Sequence, residues 1–205
     1  MNYQKILEKT IENLKFEGVT PKLLLHACCA PCSSYVIETL SEFFEITIYY
    51  YNPNIYPEKE YYRRMDELKA FLKIYKTKNK VNFIKENYDT NEYYKNVKGL
   101  EKLGERSKRC YECYKFRMDK AAKYAKENNF DYFTTTLSIS PYKDSKWINE
   151  IGNILENKYA ISYLYSDFKK NDGYKRSLEL SRKYNLYRQD YCGCVYSKEE
   201  RKIKL

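Results

Sequence analysis

The sequence predicts an α/β fold in which a doubly wound, mostly parallel sheet carries helices on both faces. Short runs rich in β-branched and aromatic residues alternate along the 205-residue chain with longer segments whose apolar residues repeat every 3.6 positions. Strands that alternate with helices in this way indicate parallel pairing through crossover connections. The first run, 22–27, is apolar, as expected for a strand in a sheet that is covered on both faces.

The predicted strands are short, and turn signals limit them. Asn52-Pro53-Asn54 stops the second strand, and Ser140-Pro141 closes the fourth. The strands are expected at 22–27, 45–51, 81–85, 131–137 and 161–165.

The predicted helices are amphipathic, and several begin with capping residues. Ser33 or Ser34 is the expected N-cap of the helix after the first strand. Pro57 suits the first turn of a long helix, and Asp89 or Thr90 is placed to cap a short one. Helices are expected over 2–15, from 33 to about 44, from 57 to about 76, after 90, after 113, over 144–157 and over 174–184.

Length and composition indicate one domain, 1–205, with a cysteine-containing tail from about 186 to 205 that closes over the active site. The chain has 38 Lys and Arg against 28 Asp and Glu, and this net charge of +10 favours a polyanionic partner such as nucleic acid. The N-terminus has the pattern of an amphipathic helix, and no apolar run approaches the ~20 residues of a membrane span. We therefore expect a cytoplasmic protein with no membrane partner.

The seven cysteines are the most informative residues of the chain, and they outnumber the ligands that a single metal centre needs. In a cytoplasmic protein, clustered cysteines more often bind metals or carry redox chemistry than form structural disulfides. Thiolates suit zinc or an iron–sulfur cluster, and a Cys-x-x-Cys pair alone does not distinguish the two. The cysteines form three groups: Cys28, Cys29 and Cys32; Cys110 and Cys113; and Cys192 and Cys194.

Cys192-Gly193-Cys194 is open to two interpretations. A disulfide across one residue closes a small, strained ring, and strained disulfides are labile and oxidising, which suits a redox shuttle. Alternatively, both thiols are ligands of a second metal. His26, the only histidine, is either a buried core residue or a functional one. The six glycines are scattered and form no phosphate-binding loop, so nucleoside triphosphate binding is not expected.

Four segments are predicted to meet at one edge of the sheet, because ligands of open parallel sheets bind at the carboxyl ends of the strands. The first cysteine group follows strand one, and 52–54 follows strand two. Asp89 lies just past strand three, and 138–143 follows strand four. Basic residues expected at the rim are Arg63, Arg64, Arg106, Lys108, Arg109, Arg117 and Arg188.

Five motifs extend over most of the chain, from about residue 22 to 197. They are His26-Ala27-Cys28-Cys29-Ala30-Pro31-Cys32-Ser33, Tyr51-Asn52-Pro53-Asn54-Ile55-Tyr56-Pro57, Cys110-Tyr111-Glu112-Cys113-Tyr114-x-x-Arg117, Thr134-Thr135-Thr136-Leu137-x-x-Ser140-Pro141-x-Lys143 and Tyr191-Cys192-Gly193-Cys194. In combination they resemble the cobalamin-independent epoxyqueuosine reductases, the QueH family.

The resemblance implies a sheet of the adenine-nucleotide alpha-hydrolase-like (HUP) type, with cysteines in place of the ATP-binding glycine loop. It implies reduction of epoxyqueuosine to queuosine at the tRNA wobble position, the last step of queuosine biosynthesis. Removing the epoxide oxygen takes two electrons and two protons. The implied partners are tRNA, contacted at its anticodon loop, and an electron donor such as a ferredoxin or flavodoxin.

The resemblance also implies metal ligands. A [4Fe–4S] cluster is expected on Cys28, Cys29, Cys110 and Cys113. A redox-active pair is expected at Cys192 and Cys194. An additional iron ion is suspected beside the cluster, and the candidates for binding or supporting it are Cys32 and His26.

Further residues are catalytic or substrate-binding candidates. Asp89 is expected to ligate an iron or relay a proton. The candidates for contacting the substrate or tRNA are Tyr51, Asn52, Lys143, Arg117 and Arg188. Two other functions stay open. The first is a tRNA sulfur-transfer enzyme of the same fold; such enzymes normally need ATP, so the missing glycine loop counts against it. The second is a non-catalytic RNA-binding module that is stabilised by zinc.

Overall fold

The predicted α/β class is confirmed. The computed structural model describes the backbone of residues 1–203 and the side chains of residues 1–201, so the last residues of the predicted tail lie outside the described chain. Five strands form one sheet of order β3-β2-β1-β4-β5, in which every pairing is parallel. The strands are β1 (Lys22–His26), β2 (Glu45–Tyr50), β3 (Val81–Lys85), β4 (Tyr132–Thr135) and β5 (Ser162–Tyr163).

Helices pack against both faces of this sheet. Residues 1–203 contain α1 (Tyr3–Glu17), α2 (Ala30–Leu40), α3 (Glu58–Ile74), α4 (Thr90–Asn96), α5 (Lys108–Glu127), α6 (Ser145–Tyr159), α7 (Gly173–Lys183) and α8 (Val195–Ile203). Within these described residues, none of the helices is both long and apolar enough to cross a membrane.

The central strand β1 supplies apolar side chains to two separate cores. Successive side chains of a strand point to opposite faces. Leu23 and Leu25 pack with α1, α2 and α3 in one core, whereas Leu24 packs with α5 and α6 in the other. This two-sided burial explains why the sequence of β1 is a continuous apolar run rather than an alternating one.

The predicted serine N-cap of α2 is wrong. The helix begins at Ala30, directly after Cys29, because Pro31 has the fixed φ that favours a first helical turn. Ser33 and Ser34 lie inside the helix, where their hydroxyls donate to the carbonyls of Cys29 (2.8 Å) and Pro31 (3.1 Å). The earlier start brings the helix N-terminus up to the cysteines.

Other boundaries also differ from the prediction. β4 ends at Thr135, whose hydroxyl accepts from the Leu137 backbone N–H and starts a 3₁₀ turn at Thr136–Ile139. α5 contains its Cys-x-x-Cys pair rather than following it, and α8 is a helix in the tail that the sequence did not predict.

Strand order reverses at β1, which places a crevice at the carboxyl ends of β1 and β4. From β1 the chain adds β2 and β3 on one side, and β4 and β5 on the other. Doubly wound sheets bind ligands at this reversal. The cysteine loop after β1 and the 138–143 segment after β4 therefore border the same crevice.

Candidate active site

The loop between β1 and α2 brings three sulfur atoms together. The Sγ atoms of Cys28, Cys29 and Cys32 all lie within 4.8 Å of one another, and those of Cys28 and Cys29 are 3.8 Å apart. Cys29 has extended backbone at the N-cap of α2, and Cys32 follows on the first turn. We call these three residues the loop triad.

The spacing of the loop triad suits a single metal ion. Metal–sulfur bonds of about 2.3 Å separate two sulfur ligands of a tetrahedral ion by roughly 3.8 Å. Three protein ligands leave a fourth coordination position open, as in catalytic rather than structural metal sites. The loop triad can therefore hold an ion that also binds a substrate atom.

Cys28 is the most acidic thiol of the loop triad. Hydrogen bonds from the Cys29 and Cys32 thiols lower the pKa of Cys28. The same contact raises the pKa of Cys29 to about 12, and the pKa of Cys32 is also raised by its contact with Cys28. Because metals bind thiolates, loading the triad releases the protons that Cys29 and Cys32 hold.

His26, the last residue of β1, is buried next to the loop triad and hydrogen-bonds with both ring nitrogens. Its Nε2 donates to the Tyr51 carbonyl (3.2 Å), and its Nδ1 accepts from the Thr135 hydroxyl (2.8 Å). A carbonyl only accepts, which assigns this tautomer. Burial and the nearby Arg117 lower the pKa of His26 to about 3, so the ring is neutral. With both nitrogens engaged, His26 has the geometry of a supporting residue rather than a metal ligand.

Asn52 joins the cysteine loop to α5. Its Nδ2 donates to the Ala27 carbonyl (2.8 Å), and its Oδ1 accepts from Arg117 Nη1 (3.3 Å). Arg117 is buried and also donates through Nε to the Cys113 carbonyl (3.3 Å). Its Nη2 has no hydrogen-bond partner among the described residues. A buried, charged donor without a partner is suited to an anionic group in the adjoining space.

The other four cysteines line a small cavity of about 20 Å³ at the N-terminus of α5. Cys110 and Cys113 are on α5, and Cys192 and Cys194 are in the loop before α8. We call these four residues the cysteine quartet. Burial raises the pKa of Cys113 to about 12 and also raises that of Cys194. In the described chain all four are free thiols.

A larger cavity of about 280 Å³ adjoins both groups. Cys28 and Cys32 of the loop triad line it, as do Cys110 and Cys192 of the quartet. Lys143 lines it as well. Burial disfavours the charge of Lys143, but electrostatic interactions with the nearby Cys192, Tyr114 and Cys32 side chains outweigh that cost and raise its pKa. The cavity thus places a cation between two sets of thiols.

The segment before α8 contacts the loop triad directly. Gln189 Nε2 donates to Cys29 Sγ (3.2 Å), and Arg64 Nη1 on α3 donates to the Cys192 carbonyl (3.3 Å). Gly193 has φ +133°, and a Cβ there would lie 3.1 Å from Arg64 Nη1. The backbone conformation therefore favours glycine between the two cysteines, and a Cβ there would require Arg64 to move slightly.

Two of the predicted site residues lie away from these cavities. Asp89 is exposed, and its carboxylate accepts from the Asn91 backbone N–H (2.9 Å) as the N-cap of α4. This confirms the predicted capping role of Asp89. The Tyr51 hydroxyl donates to Glu92 Oε2 (3.0 Å), and neither Asp89 nor Tyr51 lines either cavity.

The expected rim cations divide into three sets. Arg106 and Arg188 are exposed and line the larger cavity, Arg63 and Lys108 are exposed and line neither cavity, and Arg64, Arg109 and Arg117 are buried. Several other cavity-lining residues were not singled out from the sequence, among them Tyr142, Tyr174 and Gln189. With 25 tyrosines in the chain no single one is distinctive, and the only signal for the glutamine was its closeness to Cys192.

Comparison with known proteins agrees with the motifs. The family described as epoxyqueuosine reductase QueH matches residues 23–200. The chain is 44% identical, over its whole length and 81% of the relative, to the epoxyqueuosine reductase QueH of Streptococcus pyogenes serotype M1. It is 43% identical to that of Staphylococcus epidermidis, over 96% of this chain and 84% of the relative. It is 35% identical to that of Thermotoga maritima, over 89% of this chain and 93% of the relative. The chain therefore belongs to the epoxyqueuosine reductase QueH family of oxidoreductases.

Proposed function

We propose that this protein reduces epoxyqueuosine to queuosine at the wobble position of tRNA, the last step of queuosine biosynthesis. Two electrons and two protons convert the epoxide into an alkene and release its oxygen as water. One observation carries the proposal beyond family membership. Both groups of thiols line the same cavity, so groups that supply electrons and groups that bind the epoxide oxygen can act at one place.

The donor sets fit two metal centres. We assign a single iron ion to the loop triad, because its sulfur spacing matches one ion with an open position. We assign a [4Fe–4S] cluster to the cysteine quartet, because such clusters take four thiolates. When bound, the cluster supplies electrons and the iron ion acts as a Lewis acid toward the epoxide oxygen.

This assignment differs from the grouping that the family resemblance implies. That grouping combines Cys28 and Cys29 with Cys110 and Cys113 around the cluster and leaves Cys192 and Cys194 as a redox pair. The short separation within the loop triad favours the assignment made here. The two groupings differ in what they predict for the 192–194 segment, and the experiment below separates them.

Two cations of this chain serve the reaction. Lys143 lines the cavity beside the thiols, and its raised pKa keeps it an ammonium that can donate a hydrogen bond to the epoxide oxygen as the C–O bond breaks. Arg117 Nη2, buried and without a partner in the described residues, stabilises the negative charge that develops on that oxygen. The positions of the Lys143 ammonium and the Arg117 guanidinium in one cavity support this division of roles.

The proposed partners follow from charge and chemistry. The net charge of +10 favours tRNA, and Arg106 and Arg188 supply exposed guanidinium groups at the cavity. A single cluster passes one electron at a time, so we propose a one-electron donor of the ferredoxin or flavodoxin type in the cytoplasm.

The test uses protein purified without oxygen and tRNA that carries epoxyqueuosine. With a low-potential reductant, we expect nucleoside mass spectrometry to show the loss of one oxygen atom, and we expect a brown protein that contains iron and sulfide. A Cys113→Ser variant should lose both activity and colour. A colourless protein with bound zinc and no turnover would contradict the proposal and support the RNA-binding alternative.

The ligand assignment has its own readout. Replacing Cys192 and Cys194 by Ser should remove the cluster absorbance if the quartet holds the cluster. Retained absorbance with lost turnover would instead support the redox-pair grouping. Iron and sulfide analysis of the same samples gives a measurement that is independent of activity.

A further inference from the structure

The mouth of the larger cavity carries an exposed aromatic ring that neither cysteine group explains. Tyr142 is 65% exposed and lines the cavity, and it directly precedes Lys143, which lines the interior. Its backbone N–H donates to Ser140 Oγ (3.3 Å), which fixes the turn after β4. The ring is therefore held at the entrance with most of its surface free.

The Arg106 side chain lies over the ring of Tyr142. Its guanidinium carbon is 5.8 Å from the Tyr142 ring centroid, and its Nη2 donates to the Pro141 carbonyl (3.2 Å). Arg106 has a left-handed backbone (φ +61°), a conformation that residues other than glycine rarely adopt. Backbone strain of this kind concentrates at functional sites, where it fixes the direction of a side chain.

The size of the cavity limits what can enter it. Its volume of about 280 Å³ is just below the ~300–1,000 Å³ range of small-molecule sites. A single modified base fits such a space, and an anticodon stem does not. The reacting base must therefore be extruded from the anticodon loop, and extruded bases stack on aromatic side chains.

We propose that Tyr142 is the platform on which the extruded wobble base stacks at the cavity entrance, and that Arg106 holds this ring and contacts a flanking phosphate. This inference rests on the proposed function and deepens it. Tyr142 supplies a flat π surface, which every base recognises, and Arg106 supplies the charge that a phosphate needs. Lys143, the next residue, then faces the part of the base that enters the cavity.

The test uses an anticodon stem–loop RNA with 2-aminopurine at the wobble position. Fluorescence of this base reports stacking, and anisotropy reports affinity. Tyr142→Phe keeps the ring and should behave as wild type. Tyr142→Ala should abolish the fluorescence change and weaken binding about 5- to 150-fold, the range for one lost base–aromatic stack. Tyr62→Ala, at a partly exposed tyrosine that lines neither cavity, is the matched control.

Arg106→Gln separates charge from stacking. It should lower the slope of log affinity against log salt concentration by about 0.7, the value for one phosphate contact on a single strand, whereas Tyr142→Ala should leave that slope unchanged. Binding and fluorescence of Tyr142→Ala that match those of Tyr62→Ala would overturn the inference. Circular dichroism checks that each variant is folded.

Failure of the inference is distinguishable from failure of the proposed function. If wild-type protein binds the probe through Tyr142 but does not reduce epoxyqueuosine in tRNA, the proposed function is wrong and the stacking role of Tyr142 still stands. If wild-type protein reduces the tRNA and Tyr142→Ala does so with an unchanged KM, the stacking role of Tyr142 is wrong and the proposed function still stands.

Discussion

The Arg64 side chain is a buried charge that connects α3 to the cysteine quartet. It has no exposed surface, its Nε lies 2.8 Å from Glu60 Oε1, and its Nη1 donates to the Cys192 carbonyl. Burial opposes the charge of Arg64, but the Cys29 sulfur and Glu60 outweigh it and raise its pKa. Arg64→Met keeps most of the volume of the side chain and removes its charge and donors.

The expected loss of stability is large because Glu60 stays behind. Glu60 is 8% exposed, and leaving one member of a buried ion pair without its partner costs about 3–5 kcal/mol. For a protein of this size each kcal/mol lowers Tm by about 2–4 °C, so Arg64→Met should lower Tm by about 6–20 °C. Adding Glu60→Gln removes the stranded charge and should restore more than half of that loss.

The assay is thermal unfolding of protein purified without oxygen, followed by circular dichroism. Lys123→Met is the matched control, since it breaks an exposed pair with Glu127 at the same i, i+4 spacing. That pair is worth about 0.3–0.5 kcal/mol, so Tm should fall by roughly 1–2 °C. If the Tm of Arg64→Met is as close to that of wild type as the Tm of Lys123→Met is, the reasoning is refuted. A double variant with no recovery would show that lost packing, rather than the stranded charge, sets the cost.

Three further predictions concern the cysteines and the outer helices. Cys32→Ser should lower bound iron while the cluster absorbance persists, which iron analysis and visible spectra of one sample can check. Gly193→Ala should lower stability by about 1–3 kcal/mol, because it forces a side chain into φ +133° beside Arg64; an unchanged Tm would count against that strain. Arg176→Gln should cost about 1 kcal/mol or less near neutral pH. Hydrogen bonds from Arg176 lower the pKa of Glu38, so the stability difference between Arg176→Gln and wild type should vanish as pH falls below 4.5, the ordinary pKa of a Glu side chain. Thermal melts over a pH series check this, and a stability difference that stays constant with pH would contradict it.

Local patterns were sufficient to predict the sheet and most helices. The apolar run of β1 and the 3.6 period of α1 and α6 are signals that lie within each element. The start of α2 was mispredicted because Ser33 and Ser34 resemble N-caps, whereas Pro31 in the first turn and the extended backbone of Cys29 determine the boundary. β5 was predicted too long, since an apolar run does not show how many of its residues pair with β4.

The residue types of the site were predictable, whereas the contacts among these residues were less so. The cysteines were found because clusters of thiols are rare, and the rule on strand ends correctly brought the loop after β1 together with Lys143. Spacing along the chain does not show which sulfurs converge, and that depends on the φ/ψ values at Cys29. Asp89 and Tyr51 follow strands as Lys143 does, but their side chains engage α4 instead.

The contact between Gln189 and Cys29 joins residues 160 positions apart. Closing so long a loop is entropically costly, and contacts of this kind form late in folding. The loop triad and the quartet therefore meet only after the C-terminal segment has been synthesised and docked. A chain that ended before residue 189 would keep the three sulfur atoms of the loop triad, but it would lose the Gln189 contact and the two quartet thiols of Cys192 and Cys194.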